Sequence, residues 1–297
     1  MSSTQAQTRL SPATGRINVV EILIMHVSMA AWIYYAPSLL PTLPFYLLTL
    51  VISAAHQRQA SEWLHEGLHF NIHPNRAVND AVSQFGLAAL FAINVNMMRA
   101  AHFRHHQVTA FFSEHDTDTR YAIVTSKKDL ILSLLRDLFG LTAIRNYLSV
   151  MLSSKNKEPM AKKQLISTTG FYLSVLLVYG SLGALFIYFE LVGVVIYLVS
   201  MATLYPVLGR LRLYGQHLQI DENGRALIEH SYVSRTVNGT LVDRVFISSR
   251  LMQYHWEHHR YPGMPFRELE KIAKIDYSDA NRCTSSHWPV LAALWRM

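Results

Sequence analysis

A single cysteine, Cys283, stands in 297 residues. That excludes an internal disulfide, a Cys-x-x-Cys redox pair and a Cys₄ iron–sulfur cluster. Charge is scarce as well: Asp, Glu, Lys and Arg make up 16% of the chain, against about 25% in a soluble domain. No Gly-x-Gly-x-x-Gly fingerprint for a flavin or nicotinamide nucleotide is present. The first 17 residues are polar and contain no small-residue cleavage site behind a short apolar stretch, so a disordered head is expected at 1–17 rather than a signal peptide. Residues 18–297 read as one domain. Acidic residues are the minority, 20 against 27 basic, for a net charge of +7. Two compatible origins of that excess are positive-inside loops and a docking face for an acidic partner. No nucleic-acid partner is expected.

Apolar runs are abundant: 51% of the residues are hydrophobic, which points to membrane residence. Residues 18–36 form a first span with Glu21 near its end, and "PSLLPTLP" turns the chain. Residues 45–55 then run without a break into "HQRQASEWLHEGLH". As one helix, the stretch from Pro44 to His69 is roughly 37 Å long, while a bilayer core is about 30 Å thick, so its end protrudes. Residues 165–189 and 191–208 make a second hairpin around Glu190. Residues 81–98 are apolar but interrupted by Ser83, Gln84, Asn94 and Asn96, which suits a re-entrant segment. Residues 129–152 mix leucines with Arg136, Asp137 and Arg145, as an interfacial helix does. The expected fold is thus an all-α integral membrane protein: four transmembrane helices as two hairpins, interfacial helices and a cytosolic cap. Both hairpin turns are nearly free of Lys and Arg, so both termini and the histidines are expected in the cytoplasm.

The chain carries 15 histidines, and three groups stand out. "HEGLH" supplies His65 and His69, "HFRHH" supplies His102, His105 and His106, and "HWEHH" supplies His255, His258 and His259. The first matches the zinc-protease pattern His-Glu-x-x-His. Positions i, i+3 and i+4 of a helix share one face, so each group is expected to aim its imidazoles at one point. A re-entrant 81–98 brings all eight to one side. Catalytic zinc takes only three protein ligands, and haem takes two axial ones. Eight imidazoles fit two ions, and imidazole suits iron, copper and zinc; iron is the choice for oxygen chemistry.

"HEGLH", "HFRHH" and "QYHWEHHRYPGMPF" resemble the three histidine boxes of the membrane fatty acid desaturase and hydroxylase superfamily. The resemblance covers roughly 45–275 and implies a non-haem centre of two Fe ions, with O₂ as co-substrate. It also implies a further histidine between the fourth span and the third box. "LRLYGQHLQI", with Arg212 and His217, resembles that site, although Gln216 stands where relatives have glutamate; His230 is the competing ninth ligand. Glu62, Glu66, Asp116, Asp118 and Glu257 are candidates to orient the imidazoles through their free ring N–H groups. Without a His-Pro-Gly-Gly cytochrome motif or a cysteine cluster, electrons must come from a separate ferredoxin or cytochrome. The resemblance favours introduction of a double bond into a fatty acyl chain linked to lipid, CoA or acyl carrier protein. A hydroxylase or ketolase of an acyl chain, alkane or terpenoid shares the same ligands. A membrane zinc hydrolase or haem-type carrier is the reading from another class.

Overall fold

The computed structural model describes residues 10–108, 110–113, 115–116, 118–152, 166–227 and 231–296. Ser11 accepts a hydrogen bond from the Thr14 backbone N–H and opens α1 (Pro12–Leu39), with a proline in the first turn where its missing N–H costs nothing. Helix therefore begins inside the segment read as a polar head, because a good cap outweighs the polarity of the first turn; residues 1–9 lie outside the described set. Pro41 precedes α2 (Thr42–Leu68), which returns along α1 as one unbroken helix. Its burial changes along its length. Leu43, Leu47 and Leu48 are exposed, whereas from Ser53 to Leu68 almost every side chain is covered, including Gln57, Arg58, Glu62 and Glu66.

Among the described residues, three helical stretches are long and apolar enough to cross a membrane: α1, α7 (Thr168–Phe189) and Val192–His217. A bent pair, Arg76–Phe91 and Val95–His105, makes a fourth if it is counted as one span. α2 stays outside that set because its second half is polar. Among the described residues the regular structure is helical apart from short strand pairs, β1 (Gln219–Ile220) with β2 (Ala226–Leu227) and β3 (Thr236–Val237) with β4 (Cys283–Thr284).

The bent pair is built by the residues that interrupt its apolar run. After α3 (Arg76–Ala81) the chain takes a π-helical turn, then a short 3₁₀ turn, and bends by 88° into α4 (Val95–His105). Ala92 takes a left-handed conformation at the corner (φ 51°). Gln84 closes the exposed backbone there: its amide donates to the Ile93 carbonyl and to Ser174 Oγ on α7, and its oxygen accepts from the Val95 N–H. Asn94 caps α4 through the N–H groups of Asn96 and Met97. Broken backbone is tolerated at membrane depth only where protein satisfies it. Gly67 lets this segment pass, since a Cβ there would sit 2.1 Å from Ser83 Oγ.

Between α8 (Val192–Ala202) and α9 (Leu204–His217) the chain breaks at Thr203 (φ −118°, ψ −81°). Pro206 is the cause, although the break falls ahead of it. Proline offers no N–H to the carbonyl four residues earlier, that of Ala202, and its ring crowds that carbonyl. α9 is then fixed to α5 (Lys127–Leu138) by a buried ion pair, with Arg210 Nε donating to Asp137 Oδ2 at 2.5 Å. Thr142, at the start of α6 (Leu141–Leu152), also donates to Asp137. Ile131, Leu132, Leu135, Leu138, Leu141 and Ile144 remain exposed along α5 and α6, a continuous uncovered apolar face. Short helices α10 (His255–Arg260), α11 (Phe266–Ile272) and α12 (Trp288–Leu294) complete the cap. Its core joins Trp63, Leu64 and Leu68 of α2 to Leu87, Val95, Met252 and Phe266.

Removing one partner of a buried ion pair leaves the other charge uncompensated. Asp137→Ala should therefore destabilise the protein by about 3–5 kcal/mol, read as a lowered thermal midpoint in mild detergent. An unchanged midpoint would show that α5 does not hold α9.

Candidate metal centre

Four helix ends converge. α2 brings His65 on its last turn and His69 just past it; α4 brings His102 and His105, with His106 as its C-cap residue; α9 ends on His217; α10 carries His255, His258 and His259. Their ring nitrogens form two groups, each within 4.8 Å internally: His65, His69, His102, His106 and His258 in one, His105, His217, His255 and His259 in the other.

The division runs through the second and third boxes rather than between them. His102 and His106 serve one group while His105 serves the other; His255 and His259 serve one while His258 serves the other. The expectation that each box aims at a single point is corrected here. Residues i and i+4 stack on one line of a helix, but adjacent residues diverge by about 100°. A His-x-x-His-His box therefore faces two centres, and two such boxes tie those centres together.

The residues fit metal ions by their donor geometry. In the first group Nε2 of His102 lies 2.9 Å from Nε2 of His69 and 3.1 Å from Nε2 of His106, and Nε2 of His106 lies 3.1 Å from that of His258. In the second, Nε2 of His255 lies 2.9 Å from that of His217 and 3.1 Å from that of His259. Nitrogens about 2.1 Å from a shared ion stand about 3.0 Å apart at right angles and about 3.4 Å apart in a tetrahedron. Five nitrogens in one group exceed the four that fill a tetrahedral zinc site. Both nitrogens of His65 are buried without a partner, as a ligand's are before its ion arrives. The two groups are positioned to hold a di-iron centre.

The faces turned away from the centre fix the tautomers. His102 Nδ1 lies 2.7 Å from Asp118 Oδ2 and His105 Nδ1 lies 3.0 Å from both oxygens of Asp116. His217 Nδ1 lies 3.3 Å from the Val233 carbonyl. A carboxylate or carbonyl accepts a proton's hydrogen bond, so Nδ1 carries the proton and Nε2 keeps its lone pair. Asp116 is itself held by the hydroxyl of Thr119 at 2.6 Å. Burial raises the Asp118 carboxyl, but its hydrogen bond to His102 outweighs that and lowers it to about 2. Burial, then repulsion from neighbouring imidazoles, holds His255, His258 and His259 well below the ordinary histidine value. All three stand neutral at neutral pH, as ligands must.

Three further carboxylates expected beside the imidazoles face elsewhere. Glu62 accepts from Arg58 and from Ser249, tying α2 to the chain ahead of the third box. Glu66 accepts from the Phe266 N–H at the start of α11. Glu257 accepts from the Thr236 hydroxyl on β3. Each is buried and holds a ligand-bearing element in place without touching a ring. His230 lies outside the described residues. Sequence reasoning also missed Arg235, fully buried, which donates to the Gly215 and Leu218 carbonyls at the end of α9 and so fixes His217. Its partners lie about twenty residues away, where no local pattern reaches.

The model of the fatty acid desaturase family matches residues 40–289. Dihydrorhizobitoxine desaturase of Bradyrhizobium elkanii is 24% identical over 254 residues, covering 79% of this chain and 68% of its own. No solved structure matches.

Two outcomes are expected. Asp118→Asn and Asp116→Asn should each lower metal affinity roughly 10–100-fold, measured by competition with a chelator; unchanged affinity would remove both carboxylates from the account. The metal-free protein should lose stability as pH falls. The folded state holds His255, His258 and His259 below their ordinary 6.5, so below that pH the unfolded chain binds more protons and gains. A thermal midpoint in chelator that does not drop between pH 7 and pH 5 would contradict this.

Proposed function

The chain belongs to the fatty acid desaturase family, and on that premise we propose that it is an O₂-dependent, membrane-embedded di-iron oxidoreductase that introduces a double bond into a fatty acyl chain. The observation that carries this reading is the pair of histidine groups beneath one set of helix ends, supported by the family match over most of the chain. We assign all nine histidines, His65, His69, His102, His105, His106, His217, His255, His258 and His259, as ligands. Bound iron would supply activation of O₂ and removal of hydrogen from unactivated C–H bonds.

The protein's own part is binding and positioning. Asp118 and Asp116 keep the Nδ1 protons on His102 and His105, and the Val233 carbonyl keeps that of His217, so each ring presents Nε2 inward. Arg235 and Gln216, the latter donating to Ser248 and the Met252 carbonyl, hold α9 against the segment before the third box. Gln216 thus packs where relatives carry glutamate.

The balance of the reaction requires a partner. Each O₂ takes four electrons and four protons to become two waters. Two of each leave with the hydrogens of two adjacent carbons; the other two electrons come from a separate one-electron carrier, a ferredoxin or a cytochrome. The excess of basic residues supports an acidic donor, and an acyl carrier protein or CoA ester would dock on the same face.

For the membrane we propose four spans in two hairpins, α1 with the first half of α2 and α7 with α8–α9. The exposed leucines of early α2 support the second of these spans, and the 88° bend supports a re-entrant 76–105. The basic side, with both termini and the histidines, faces the cytoplasm.

Given iron, O₂ and a ferredoxin system, the enzyme should release an olefin about two mass units lighter than its substrate, the loss of two hydrogens. A product carrying added oxygen and no double bond would move the assignment to hydroxylase or ketolase with the same ligands.

A further inference from the structure

A cavity of about 450 Å³ lies outside the histidine centre. Met25, Met29 and Trp32 of α1, Ile52 and Gln59 of α2, and Arg244 of the π-helical turn Asp243–Ile247 line it, and none of the nine histidines does. Gln59 and Arg244 are exposed, so the cavity opens to the surface. Its mouth lies on the flank of α1, a helix apolar enough to cross a membrane, where Leu23, Ile24 and Val27 are exposed. Two bonds set the register of the helix pair: Trp32 Nε1 donates to Thr49 Oγ1 at 2.9 Å, and His26 Nδ1 lies 3.1 Å from His56 Nε2. Arg58 donates to the Ile247 carbonyl and Ser249 to Glu62, which seats the π-helical turn against the following turns of α2. The walls therefore grade in one direction, from Trp32 and Ile52 to Gln59 and Arg244. Ile52 and Gln59 are seven residues apart, roughly 10 Å along the helix.

The two ends differ in chemistry. At the Trp32 end the polar atoms are spent within the helices: the indole N–H on Thr49, and the two nitrogens of His56 on His26 and on the Tyr197 hydroxyl, 3.1 Å away. At the other end Arg244 Nε donates to the Gly239 carbonyl at 2.9 Å and Nη2 to Asn238 Oδ1 at 3.1 Å. Those bonds hold the guanidinium in place, but among the described residues it makes no ion pair. The adjoining carboxylate, Asp243, is taken by His287 and Thr240. Leu241, Val242 and Val245 stand exposed around Arg244. A cation set among exposed aliphatic side chains on one turn is the pattern of a segment lying at the level of lipid head groups.

We propose that this cavity binds one anionic phospholipid of the bilayer: the phosphate pairs with Arg244, Gln59 donates to an ester carbonyl, and an acyl chain lies along Met25, Met29, Trp32 and Ile52. The fork of arginine suits phosphate oxygens through parallel N–H bonds, and an amide side chain facing lipid needs a partner. Ser249 also lines the cavity and holds Glu62, one turn ahead of the first box. Lipid bound there braces the join between α2 and the segment that leads to the third box. The site is independent of the metal and of the reaction.

The test is quenching of tryptophan fluorescence in the full-length protein in detergent by lipids with dibrominated acyl chains: phosphatidylglycerol, a diacylglycerol with the same chains and no phosphate, and the free fatty acid. Phosphatidylglycerol should quench with a midpoint at least roughly tenfold lower than the diacylglycerol, a preference set by one charge-assisted pair, and should raise the thermal midpoint as it binds. Arg244→Gln should bring phosphatidylglycerol to the level of the diacylglycerol, and Arg244→Lys should keep part of the preference. Trp32→Phe should remove the quenching that is selective for phosphatidylglycerol, because Trp32 lies against the chain. Ala55 also lines the cavity, so Ala55→Leu should fill it and abolish the selective quenching with the guanidinium still in place. Should Arg244→Gln fail to fold, Arg244→Lys and Ala55→Leu carry the same comparison. Equal midpoints for phosphatidylglycerol and diacylglycerol in the wild type would overturn the proposal. So would selective quenching that survives Trp32→Phe or Ala55→Leu, or a free fatty acid that binds as tightly as phosphatidylglycerol.

Discussion

Nine imidazoles with their lone pairs turned toward one another cannot be left as they are. Neighbouring Nε2 atoms stand as close as 2.9–3.1 Å in two groups, and at least three of the rings have their one proton committed on the far side to Asp116, Asp118 and the Val233 carbonyl. Buried acceptors without donors cost about 1–3 kcal/mol each. Only cations answer several at once. Much of the fold is the apparatus that brings four helix ends to that arrangement: the ion pair Arg210–Asp137 behind α9, Arg235 across its last carbonyls, Glu62 and Glu66 reaching from α2 to the segments around the third box.

The membrane imposes the second constraint. The protein is embedded in the bilayer, and the second box has to meet the first at one centre. The corner at 82–94 solves this with one glutamine, Gln84, which answers backbone on both sides of the bend and reaches α7 as well. α2 changes along its length: its first half is apolar with exposed leucines, its second half is buried, and a single helix carries the first box to the centre.

The histidine boxes, the break in 81–98 and the unbroken run of α2 to the first box were legible in the sequence because each leaves a local mark: fixed spacing, polar residues in an apolar run, the absence of any break signal. Asp116 and Asp118 were legible by their nearness to the second box. What a single box serves was not. The split of His105 from His106 follows from helix geometry only once both centres exist. The roles of Glu62, Glu66 and Glu257 were hidden for a different reason: a buried glutamate beside a ligand in sequence can point away from it, and its partners, Ser249, Phe266 and Thr236, belong to other elements. Arg212 and Arg235 look alike in the sequence, and only the packing shows that Arg235 is bonded to the end of α9. The start of α1 was misjudged because Ser11 and Pro12 are a helix signal inside polar residues.

The central claim is that adjacent histidines of one box serve different ions. Mössbauer spectra of the ⁵⁷Fe-loaded protein test it most directly in the variants His105→Ala and His106→Ala. The account predicts two iron environments of equal weight in the wild type, with each variant disturbing a different one. Loss of the same environment in both variants, or a single iron per chain in the wild type, would contradict it.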